Sequence, residues 1–262
     1  MTGRGDNRDD PTAKGPAPKV PGKEALRVLP KRFYTSAAVE ARGGGFTVVL
    51  DGRPIRTPAK RELIVPAAGL AAAIAAEWEA QGERIDPATM PLTRLANASI
   101  DAVEARRGEV ADDIAAFAGS DLLCYRAEAP DALVRRQAEA WNPPLAWAKR
   151  ALGAEFVLRA GLMPIAQPPE AIEAVRRALA GLDALSLSAL HVLTTVSGSA
   201  LLALAHWRGA LSADEAWRAA TVDETWQREQ WGRDAEADAE AALKRAEFEA
   251  ASRCLGFLRS AR

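Results

Sequence analysis

The chain has 262 residues, 48% of them hydrophobic and 26% charged, with a formal net charge of -1. That is ordinary globular composition in a chain long enough for two modest domains or one large one. The near-neutral balance leaves no global field to gather nucleic acid or an anionic membrane, so charge-driven recognition has to be local.

Residues 1–25 are polar and rich in Pro and Gly, which predicts a disordered tail. This stretch has no apolar signal-peptide core, and its three aspartates argue against a transit peptide. Its Arg-Gly-Asp triplet, Arg4 to Asp6, is short enough to arise by chance. From Arg32 to Pro66 the sequence alternates in the manner of strands. Phe46, Val48 and Leu50 alternate with Thr47 and Val49, which predicts a half-buried strand, with a further strand over 61–66. Gly43 to Gly45 and Asp51-Gly52 suit hairpin turns, because glycine accepts the positive φ that such turns need. After Pro66 the period changes to that of a helix, with Leu70, Ile74 and Trp78 on one face. A break at 86–93 precedes a second helix through Leu92, Leu95, Ala96 and Val103, and a third carries Val110, Ile114 and Phe117. Asn142 before Pro143 predicts a fresh helix start, and Ile172, Val175, Leu179 and Leu182 mark a helix after Pro169. The fold class expected is α+β. A small antiparallel β-rich domain with its linking helix, residues 26–90, precedes a mainly α-helical domain over 91–262.

No Asp, Glu, Lys or Arg lies between Asp183 and Arg208. That length matches a bilayer span, but its six Ser or Thr and the absence of any second such segment favour one central buried helix. His191 and His206 would then sit fifteen residues and about 60° apart on it, and no nearby acid completes a ligand set. Cys124 and Cys254 are 130 residues apart, which fits a reducing compartment and gives no basis for a zinc site. The chain has no Gly-x-Ser-x-Gly elbow and no phosphate loop. Cys124 and Arg126 lack a paired base, and the C-terminal carboxylates lie in sequence too hydrophilic to suggest an acid/base pair. Neither a cofactor nor a metal is expected.

Between Asp223 and Glu240 seven acids face two arginines. Read as one helix, the segment puts Trp231 on a side with Glu224, Ala235 and Asp238, near Trp217. Trp226 falls on the other side with Glu229, Arg233, Glu236 and Glu240. Glu229 and Arg233 would form a favourable pair four residues apart, and Glu236 and Glu240 a mildly repulsive one. Composition leaves two readings open: a solvated helix whose tryptophans pack inward, or a surface that selects a basic partner.

Three blocks, Lys31 to Leu63, Ala75 to Asp101 and Val222 to Glu240, resemble in order the signatures of the ATP synthase F(1) alpha-subunit assembly chaperones. The resemblance implies a non-enzymatic chaperone, acting as a monomer without membrane insertion. Its implied partner is the unassembled alpha subunit, held until the beta subunit replaces it. The family's acidic position maps best onto Glu236, with Trp231 and Asp234 as motif neighbours, and Glu229 is the alternative alignment. Trp226, Glu229 and Glu240 join the expected partner-binding set, with Trp231 expected to hold the helix in place. Trp78, Gln81, Met90, Pro91, Leu92 and Thr93 match the first signature and are expected mainly to join the two domains. The resemblance and the composition together suggest a bacterial cytoplasm, with relatives in the mitochondrial matrix. Two other readings compete, a small-molecule enzyme with an inter-domain cleft and a generic holdase.

Overall fold

The computed structural model describes residues 29–161 and 163–260; the expected tail over 1–25 lies outside them. Strands β1 (Ala37–Arg42) and β2 (Gly45–Leu50) pair antiparallel from Ala37 opposite Leu50 to Arg42 opposite Gly45, and β3 (Arg53–Pro54) pairs with the other edge of β2. Asp51 and Gly52 take φ of 47° and 77° in the second turn, the paired positive angles of a tight hairpin. The Asp51 carboxylate fixes this turn by accepting the backbone N–H groups of Thr35 and Ser36 at 3.1 and 3.0 Å. The strand expected over 61–66 is reduced to bridges, Val65 to Phe46 and Glu62 to Arg56. The expectation that β2 is half-buried also fails, because Thr47 and Val49 are as buried as Val48 and Leu50. Successive strand residues point to opposite faces, so both faces of β2 are covered and the alternation does not separate core from solvent.

Helix α1 (Ala68–Glu79) lies against this sheet, with Leu70 and Ile74 fully buried. The Tyr34 hydroxyl donates to the Trp78 carbonyl at 2.6 Å, and the two rings meet edge-on at 5.7 Å. A turn of 3₁₀ helix over Pro87–Thr89 leads to α2 (Pro91–Ala98). The expected regular helix through Val103 is instead a π turn over Ser99–Val103 and a 3₁₀ turn over Glu104–Arg106, ahead of α3 (Arg107–Phe117).

The rest is almost wholly helical. β4 (Tyr125–Arg126) and β5 (Arg159–Ala160) form a short parallel pair around α4 (Asp131–Leu152). There follow α5 (Pro169–Leu179), α6 (Ala184–Ser197), α7 (Ala200–Trp207), α8 (Ala213–Ala220), α9 (Val222–Trp231) and α10 (Ala235–Ser260). Leu182 lies beyond the end of α5, not on it. Asn142 is no cap, because α4 runs through Pro143 and Pro144. Each proline withholds one helical N–H, yet the helix stays continuous to Leu152. Trp141 is completely buried and donates its indole N–H to the Ala219 carbonyl at 2.7 Å, while Asn142 accepts from Arg126 at 3.0 Å. One hydrophobic core runs from Tyr34 and Val48 through α1, α2, α6 and α7 to Leu258 on α10.

The apolar stretch after Asp183 is central and buried but is two helices, not one. Gly198, at φ 68°, ends α6 in the left-handed conformation that glycine takes without strain, and Ser199 caps α7 by accepting the Leu202 N–H at 3.0 Å. Asp121, with no exposed surface, accepts the N–H groups of Leu123 and Leu201, each at 3.1 Å. It thereby satisfies a donor at the start of α7 from a distant part of the chain. Burial pushes its carboxyl from 3.8 up to about 6, against the lowering effect of those donors.

Because Asp121 binds its proton more tightly in the folded chain, its contribution to stability is full below pH 3.8 and is lost as pH rises through about 6. Replacing Asp121 by Asn removes that titration. Between pH 4 and pH 7 wild type is expected to lose roughly 2 kcal/mol relative to D121N, at about 1.4 kcal/mol per pKa unit. Urea midpoints of both proteins across that range check it, and parallel pH profiles contradict it.

Candidate functional site

The first signature builds a joint between α1 and α2. Glu77, half-buried on α1, accepts the N–H groups of Leu92 and Thr93 at 2.7 and 2.8 Å and the Thr93 hydroxyl at 2.7 Å. These are free donors at the start of α2, where a negative group also meets the positive end of the helix. Burial raises the Glu77 carboxyl above its ordinary value, and the Thr93 and Leu92 bonds pull the other way. Gln81, buried beside it, donates to the Glu77 carbonyl and the Thr89 hydroxyl, each at 3.0 Å, and accepts the Asp86 N–H at 2.7 Å. Pro91 opens α2, where its missing N–H costs nothing, and Met90 and Leu92 are buried. Trp78 faces Tyr34 on the other side of α1. Gln81, Met90, Pro91, Leu92 and Thr93 therefore gather at one polar joint, Trp78 stands apart from it, and Glu77, which holds the joint, was not among the residues singled out. Its partners lie fifteen and sixteen residues away, outside any local capping pattern.

The second signature is a corner. Gly232, at φ 88°, ends α9, so the faces drawn by treating 223–240 as one helix do not exist. The chain restarts at Asp234, whose carboxylate accepts the N–H groups of Glu236 and Ala237 at 2.8 and 3.2 Å at the start of α10. Glu229 does not pair with Arg233. It meets Arg136 of α4 at 2.6 Å, and the same guanidinium lies 4.9 Å from the centre of the Trp226 ring. Arg233 and Arg228 both reach Asp238, at 2.8 and 3.3 Å, and tie the two sides of the corner together. Asp223 accepts from Gln137 of α4 at 2.7 Å. Trp217 is remote from this corner chemistry and packs edge-on against Phe248 at 5.3 Å.

Two residues stand out on that frame. Trp231 is 88% exposed, so it holds nothing in place, contrary to the role expected of it. Inward packing is denied to it because α9 ends at this residue and the chain turns away. Glu240 is paired with Lys244 at 2.7 Å, which holds its carboxyl below the ordinary range. Glu236 is exposed and makes no ion pair or side-chain hydrogen bond among the described residues. The expected partner-binding acids thus divide: Glu229, Asp234 and Glu240 are engaged within the chain, and Glu236 is free.

Chemistry elsewhere is muted. Cys124 and Cys254 are buried, and burial pushes both thiols up to about 12, far from a reactive thiolate. Arg126, near Cys124, is held by the Leu123 carbonyl at 2.9 Å and by Asn142. His206 is a hydrogen-bonded core histidine, 3.0 Å from the Leu211 carbonyl and 2.8 Å from the Ser252 hydroxyl, with burial lowering its pKa. The break at Gly198 voids the angle expected between it and His191. Among the described residues no cluster of His, Cys, Asp or Glu could hold a metal, and no helix is long and apolar enough to cross a membrane.

The crystal structure of Atp12 from Paracoccus denitrificans superposes with a TM-score of 0.80 at 43% identity, covering 87% of this chain and 98% of that one. The chain belongs to the ATP12 chaperone family. The family's model, described as ATP12 chaperone protein, matches residues 31–149, which include the sheet and the α1–α2 joint. The Atu1473 protein of Agrobacterium tumefaciens superposes at 0.83 with 46% identity over 88% of this chain and 87% of its own. The mitochondrial protein atp12 of Schizosaccharomyces pombe is 24% identical over 214 residues, 77% of this chain and 74% of that protein. This is the family of ATP synthase assembly chaperones that the three sequence blocks resemble. The α+β class of the ATP12 chaperones is also the class expected from the sequence.

If Arg136 braces the corner, Arg136→Ala is expected to speed amide hydrogen exchange in α9, residues 222–231, while lowering global stability by only about 1 kcal/mol. Native-state exchange with a parallel urea melt checks it. Unchanged exchange in α9 contradicts it.

Proposed function

We propose that this ATP12-family chain is a non-enzymatic chaperone for the F(1) sector of ATP synthase that binds the unassembled alpha subunit until the beta subunit takes its place. The observation that supports this reading best is the unpaired carboxylate of Glu236 on the same α9–α10 corner as the 88% exposed Trp231, a corner that Arg136 ties to α4. A tryptophan that gives up its burial and a carboxylate left without a counter-ion suit contact with a second protein, one that is apolar at the centre of the contact and basic beside it. An unassembled subunit exposes apolar interface that otherwise aggregates, and covering it requires surface rather than catalysis. In this reading Glu236 and Trp231 are the primary contacts. Asp234, Glu229, Trp226 and Glu240 shape the corner, and the Glu77 joint connects a β-rich and a helical domain. The protein works as a monomer in the cytoplasm without a cofactor.

Glu236→Lys is expected to weaken suppression of alpha-subunit aggregation by about tenfold or more. Its thermal midpoint should stay that of wild type, because Glu236 is exposed and supports no internal contact. Light scattering of warmed alpha subunit with each chaperone variant measures it. Full suppression by the variant removes Glu236 from the contact, and failure of wild type to bind alpha subunit removes the function.

A further inference from the structure

The outer part of α10 carries a feature that Glu236 does not account for. Residues 236, 239, 243, 246 and 250 recur at alternating steps of three and four, which aligns them in one seam along the helix. Ala239, Leu243 and Ala246 are exposed, Leu243 at 67%. The seam runs down to Ala250, where a groove of about 180 Å³ opens between α10, α2 and α6. Pro91, Leu95, Ala98 and Val192 form the far side of that groove. From Glu236 to Ala250 the seam is ~21 Å long, about four helical turns.

A single exposed leucine is ordinary. Leu243, however, lies seven residues from a carboxylate with no counter-ion and seven from the buried end of an apolar groove, all on one line. This arrangement is the complement of an amphipathic helix: an apolar stripe for the seam and a cation for its acidic end. Arg94 and Glu247 also line the groove, and their ion pair, at 2.9 Å, joins its α2 and α10 walls.

We propose that the seam from Glu236 through Leu243 to the α2–α6 groove receives one amphipathic helical segment of the client. The client's apolar side chains lie on Leu243 and enter the groove, and a Lys or Arg one or two turns away meets Glu236. The occupant is the alpha subunit, so the assignment rests on the client-binding reading and extends its footprint two turns and more beyond the corner.

The test uses the full chain and purified unassembled alpha subunit. Leu243→Asp places a charge on the seam at an exposed position, so the variant keeps the wild-type thermal midpoint and is expected to bind alpha subunit at least about tenfold more weakly. Leu243→Cys with an environment-sensitive fluorophore reports contact directly, since both native cysteines are buried. A blue shift on adding alpha subunit is expected. Wild-type affinity in Leu243→Asp together with an unshifted fluorophore overturns the seam and leaves the client reading standing. Absence of binding by wild type overturns the client reading and the seam with it. A wild-type dimer that Leu243→Asp converts to monomer assigns the seam to a second copy of the chain and also overturns the proposal.

Discussion

A carboxylate reaching across to the first turn of another helix is the interaction on which this fold depends. Glu77 of α1 satisfies the start of α2, and Asp121 does the same for α7. Glu77 stands in for a missing short-range cap on α2, and Asp121 adds a long-range acceptor to the Ser199 cap of α7, so helix formation and helix placement become the same event. Burying a carboxylate opposes this, as the raised pKa of both groups records, and the N–H donors offset it. The joint at Glu77 sets α2 relative to the sheet-bearing α1, and α2 in turn forms a wall of the groove beside α10.

The corner between α9 and α10 follows a different rule. Its charges are exposed, so each pair contributes at most about 1 kcal/mol, and none of them explains why the segment is so acidic. Their geometry is more informative than their number. Arg136 clamps Glu229 and covers Trp226, Arg228 and Arg233 converge on Asp238, and Asp234 begins α10. Every one of these contacts ties the corner together from within, and in the proposed function the groups they leave unused, Glu236 and Trp231, make the contact with the client. A rigid presentation lowers the ordering cost of binding, the advantage of preorganisation.

The sequence announced its elements where local signals are strong. The two hairpin turns, the apolar face of α1, the switch from strand to helix at Pro66 and the family-bearing blocks were all legible. Failures came where a distant residue overrules a local cue. Asn142-Pro143 has the chemistry of a helix start, yet Trp141, buried and bonded to Ala219, keeps α4 continuous through two prolines. Val49 reads as a strand position facing away from the core, but its face of the sheet is covered. The glycines misled by understatement: Gly198 and Gly232, each at positive φ, split segments whose hydrophobic or charge pattern runs straight through them. In the corner this matters most, because the break at Gly232 converts Trp231 from an expected packing residue into an exposed one. No periodicity could have found Arg136 or Glu77, whose partners are set by tertiary structure.

In the proposed function the client sits on the α9–α10 corner and the outer half of α10. The most direct measurement is amide hydrogen exchange of the full chain alone and saturated with unassembled alpha subunit. New protection is expected within residues 226–246 and none around exposed Val157 and Met163 between α4 and α5. Protection confined to that loop or to the sheet, with the corner exchanging as in the free chain, would contradict it.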